Sequence, residues 1–124
     1  MRQFAYALIA SFTLAGAAAA HPATEQFIPI GASPGPGVVQ GTAGAVAEPT
    51  AATGGDPVVS VENANGAELG AYIVTEHTRI YVDRSAQNLP SLVGSIDDVQ
   101  PGRVIEVRID PETRNAEWIK VRGQ

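Results

Sequence analysis

A chain of 124 residues is one domain's worth of sequence. Without a cysteine it has no disulfide to staple it, so its stability has to come from apolar burial in a compact barrel or sandwich, or in an oligomer. Its 13 acidic against 8 basic side chains give a net charge of −5, which argues against a phosphate backbone or an anionic lipid surface as partner.

Met1-Arg2-Gln3 is followed by an apolar run over residues 4–14 and by Ala15-Gly16-Ala17-Ala18-Ala19-Ala20. A positive start, a short hydrophobic stretch and a small-residue end are the three regions of a secretory signal. Ala18 and Ala20 make an A-x-A cleavage site ahead of His21. A membrane anchor needs about 20 apolar residues, and here Ser11, Thr13 and the alanines dilute a shorter run. Residues 1–20 are therefore read as a cleaved signal peptide. The expected product is periplasmic or secreted, has no membrane span, and is more acidic than the precursor because Arg2 leaves while every acid stays.

Residues 21–40 carry Pro22, Pro29, Pro34 and Pro36 interleaved with Gly31, Gly35 and Gly37. Proline removes backbone donors and glycine adds conformational freedom, so an extended arm is expected rather than a helix or a central strand. Within it Phe27-Ile28-Pro29-Ile30 is apolar enough to lie against the domain or against a partner. The domain itself is assigned to residues 41–124. Strands are expected over residues 41–46, 58–62, 69–75 and 78–82, with a soft loop over 47–57, a hairpin turn at Asn65-Gly66 and a loop over 84–94. Ser95-Ile96-Asp97-Asp98 has the pattern of a capping box and opens at most one helical turn, because Pro101-Gly102 stops it.

The last two strands have the clearest alternation. Ile105, Val107 and Ile109 share one face, and Ile119 and Val121 share another. Setting Val107 opposite Ile119 places Glu106 opposite Lys120 and Arg108 opposite Trp118. An ion pair and a cation–π pair then fall together on the outer face, each worth about 0.2–1 kcal/mol.

Four segments carry a resemblance: Phe27-Ile28-Pro29-Ile30-Gly31 with Ser33-Pro34-Gly35, Tyr81-Val82-Asp83-Arg84-Ser85, Asp98-Val99-Gln100-Pro101-Gly102-Arg103-Val104, and Ala116-Glu117-Trp118-Ile119-Lys120-Val121. Together they resemble a family of small exported bacterial proteins of unknown function. The resemblance implies a small β-barrel with a helical turn and carries no activity with it. Between residues 43 and 59 this chain is longer and richer in Ala and Gly than the family pattern. The fold expected is all-β: a barrel of five or six strands, like the oligonucleotide/oligosaccharide-binding or SH3-type folds, with one short helical turn and a preceding Pro/Gly-rich arm.

Candidate sites are few. Tyr81, Asp83 and Arg84 at a strand end could grip a small polar ligand, or Asp83 could cap loop amides. Trp118 with Lys120 and Arg122 could form a surface platform, unless Arg108 and the arm cover the ring. His21, if N-terminal after cleavage, could offer an α-amine and an imidazole to copper, with His77 as a third nitrogen; His77 alone reads as solvated beside Glu76. Asp97 and Asp98 suit a helix start better than a calcium site. No nucleophile elbow or phosphate loop is present, and no cofactor is implied. The leading expectation is a non-enzymatic binding or accessory module that meets an envelope protein or a small polar ligand. A copper-binding envelope protein and a hydrolase are the alternatives.

Overall fold

The computed structural model describes residues 25–32 and 35–123; the expected signal peptide over residues 1–20 and the candidate ligand His21 lie outside them. Seven strands form one mixed sheet: β1 Val38–Ala47, β2 Val58–Glu62, β3 Glu68–Ile73, β4 Arg79–Asp83, β5 Leu92–Val93, β6 Val104–Ile109 and β7 Ala116–Arg122. Their order across the sheet is β3-β2-β1-β6-β7-β4-β5, antiparallel except for the parallel pair β4–β7.

The β class follows from the alternating apolar pattern. The expected barrel of five or six strands is corrected to an open sheet of seven. Closure would need the two edges, β3 and β5, to pair, and β5 is only two residues long. The sheet wraps instead. Tyr72 of β3, Val59 and Val61 of β2, Val107 of β6, Ile119 of β7 and Ile80 of β4 all belong to one buried cluster. A single sheet without a helical layer buries one face from end to end only by folding over on itself. A bulge in β1 between Ala43 and Val46 supplies a bend. Each Val or Ile so buried contributes about 1.5–3 kcal/mol.

The local signals act as their chemistry dictates. The Ser95 hydroxyl accepts from the Asp97 amide at 3.3 Å and Asp98 Oδ2 accepts from the Ser95 amide at 2.8 Å. They start a short 3-10 turn over Ile96–Asp98 that delivers Val99 into the core. Asn63 organises the β2–β3 turn, its Oδ1 accepting from Asn65 and Ala67 while Gly66 takes φ +81. That hairpin sets Val59 opposite Tyr72 and Val61 opposite Gly70. A Cβ at Gly70 would overlap the Tyr72 ring, so glycine makes room for the aromatic.

Two boundaries differ from expectation. β1 begins at Val38, inside the segment assigned to the arm, because Val38 and Val39 pair with Arg108 and Val107. Residues 84–94 hold a 3-10 turn, Ser85–Gln87, and the edge strand β5 rather than loop alone.

Candidate functional site

The β6–β7 hairpin has the register its alternation implies, with Glu106 opposite Lys120, Val107 opposite Ile119 and Arg108 opposite Trp118. On the far side of β7 the parallel partner β4 sets Arg79 beside Trp118, Tyr81 beside Lys120 and Asp83 beside Arg122. The binding residues named from sequence on these two strands therefore share one face, opposite the core. Arg84 follows at the strand end, where its Nε donates to the Pro90 carbonyl at 2.8 Å.

The middle of that face is closed to water, while Arg79 and Arg122 at its rim stay exposed. Trp118 is 5% exposed, Glu106 2% and Lys120 1%, so of the two readings of the indole, surface platform or covered ring, the structure has the covered one. The arm crosses it. Lys120 Nζ donates to Glu25 Oε1 at 2.7 Å, and Gln26 Nε2 donates to the Ser91 carbonyl at 3.0 Å. Further along, the Ile30 amide donates to Asp83 Oδ2 at 2.8 Å and the Gly31 amide to Glu106 Oε2 at 2.9 Å. Gly31 turns its amide there at φ +92, a backbone region that favours glycine. The apolar run Phe27–Ile30 thus lies against the domain, yet Phe27 keeps 59% of its surface exposed.

The pairings within the face also differ in detail from the outer-face pairs expected. The cation over the indole is Lys120, 4.4 Å from the ring centroid. Arg108 is drawn instead to Glu117 on the neighbouring strand, at 3.4 Å.

Electrostatics divides the two acids that hold the arm. Burial works against the Asp83 charge, but the Ile30 amide, the Ser85 hydroxyl and amide, and the Arg122 guanidinium outweigh it and hold the carboxyl below its ordinary value. Glu106 goes the other way. Burial raises it, Glu25 and Asp83 add repulsion, and the Gly31 amide and the Lys120 ammonium only partly offset them. Its Oε1 is buried without a hydrogen-bond partner among the described residues. Burial also pushes the Tyr81 phenol up. Glu25 carried no sequence signal, and the burial of the Glu106 and Lys120 pair carried none either, because long charged side chains are ordinarily solvated.

The other candidates lie apart. His77 sits in the turn before β4 with its side chain 88% exposed, 3.7 Å from Glu76. His21 is outside the described residues, and among those described no group of three metal-ligating side chains converges. Asp97 and Asp98 serve the turn start described above. No helix among the described residues is long and apolar enough to cross a membrane.

No family model, curated protein or solved structure matches the chain.

Proposed function

We propose that this chain is an exported, non-enzymatic binding module of the periplasm or extracellular space, akin to the small exported family it resembles, whose recognition face is the outer side of β4, β7 and β6. The ligand class is a short peptide segment folded in turns, as the arm is, whose Ile28 amide donates to the Glu25 carbonyl and Ala32 amide to the Pro29 carbonyl. One observation carries the proposal: the face holds a stretch of backbone through two carboxylates aimed at consecutive amides, Asp83 at Ile30 and Glu106 at Gly31. Bonds to its backbone give such a segment affinity, and side-chain contacts give it selectivity. Here Lys120 reads an acidic side chain, and the Ile30 and Gly31 amides are the two held, since Pro29 has none and those of Ile28 and Ala32 bond within the segment's own turns. In this chain the arm is the occupant.

The test is a fluorescent peptide of residues 21–32 titrated into the full chain. The native arm holds the face at an effective concentration on the order of millimolar, so little binding is expected there. Glu25→Lys opposes Lys120 with a like charge and weakens the arm. The peptide should bind that variant at least tenfold more tightly, and the gain should vanish on adding Asp83→Ala. A folded Glu25→Lys chain that ignores the peptide would contradict the proposal.

A further inference from the structure

The occupant that fits this face can be read from the face itself. It takes an acid at one position, a proline four residues on, and an apolar residue and a glycine directly after. Glu25, Pro29, Ile30 and Gly31 supply that pattern in this chain. Any second copy carries the same segment.

Two further observations bear on where the segment comes from. Between arm and sheet the chain places Gly31, Gly35 and Gly37 at φ +92, +143 and +81. A linker from Gly31 to Val38 can span up to about 25 Å when extended, enough to carry the arm to an adjacent molecule. The arm's crossing also ends beside unsatisfied apolar surface. Leu89, Leu92 and Val93, the last 72% exposed, flank Ser91, to which Gln26 of the arm is tied, and Phe27 follows Gln26. Gln26, Arg79, Tyr81 and Val93 line a groove at the same edge. A single molecule leaves these side chains in water, whereas a neighbour bound through its arm at this edge would cover them.

We propose that the arm is exchanged between two copies of this chain, each laying Glu25 to Gly31 across the β4–β7–β6 face of the other, with Phe27 and the β5 edge at the shared boundary. The inference rests on the peptide-binding reading above. Exchange of an identical element is a low-cost route to a symmetric dimer, since every contact made within one copy is remade between two. An arm used in trans leaves the fold of each sheet unchanged.

The chain's lack of cysteine makes the test unambiguous. One full-length copy carries Gln26→Cys and a second, differently tagged, carries Ser91→Cys; a third carries both. The two single variants are unfolded, mixed and refolded together at rising concentration, then oxidised and run without reductant. A disulfide-linked heterodimer whose yield rises with concentration is the expected result. If the double variant closes its own disulfide while the mixture stays monomeric, the arm acts only in cis and the exchange is overturned, with the peptide-binding face intact. If neither disulfide forms, sedimentation of the native chain decides: a monomer at every concentration overturns the exchange, and free-peptide amide exchange at Ile30 and Gly31 overturns both proposals.

Discussion

Gly31 donates its amide to Glu106 Oε2 at 2.9 Å, while Oε1 of the same carboxyl is buried and bonded to nothing among the described residues. The arm thus satisfies half of a buried acid. The other half makes the contact sensitive to the charge that Glu106 carries.

Glu106 has its carboxyl raised above the ordinary value of 4.5, by burial first. Its contribution to stability is therefore fully present below 4.5 and is lost as pH rises through the raised folded value. Glu106→Gln removes that charge and should flatten the decline, raising stability by about 1–2 kcal/mol at neutral pH. Urea unfolding followed by Trp118 emission between pH 4 and 8 measures it. A native stability that climbs across this range in parallel with the variant would count against the assignment.

Asp83 has the opposite sign. Its carboxyl is held below the ordinary value of 3.8, so its stabilisation is present above that value and fades as pH falls through the folded one. Asp83→Ala should cost about 1–3 kcal/mol, because it orphans the amides of Ile30 and Ser85 together. Amide exchange at both positions should quicken in the variant, while exchange at Val107 in the core keeps its ranking.

The Lys120–Glu25 pair predicts strong non-additivity. Lys120→Met alone leaves Glu25 charged and largely buried, and should destabilise by about 3–5 kcal/mol. Adding Glu25→Gln should recover most of that loss. A double-mutant cycle by thermal unfolding reads the coupling, and additive effects would show that the two side chains do not share a buried contact.

Gly70→Ala should destabilise by about 1–3 kcal/mol, since the new methyl meets the Tyr72 ring. Combining it with Tyr72→Leu should relieve part of the loss. No relief would place the ring elsewhere.

Much of the sheet is legible in the residues. Strict alternation at Ile105, Val107, Ile119 and Val121 fixes which face is buried, and the matches of Glu106 with Lys120 and Arg108 with Trp118 choose among registers two residues apart the one observed. The turn chemistry of Asn65-Gly66 and the capping acids at Ser95–Asp98 act within a few residues and are equally readable. The parallel β4–β7 pairing is not, because no local turn announces a partner so far along the chain, and β5 is too short to show a period. For the same reason Tyr81, Asp83, Trp118 and Lys120 could be named as candidates one by one, but not seen as a single face. Cover of the Trp118 ring by the arm is one of the alternatives the sequence offers, but the burial of Glu106 and Lys120 is not legible. It depends on Glu25, Ile30 and Gly31, which look like ordinary members of a Pro/Gly-rich segment until the sheet they cross exists.

Hydrogen exchange of the Ile30 and Gly31 amides in the full chain tests the seating of the arm most directly. Both should be protected well above free-peptide rates, with Asp83→Ala releasing Ile30 and Glu106→Ala releasing Gly31. Free-peptide rates at both amides in the native chain would mean that the β4–β7–β6 face does not hold the arm at all.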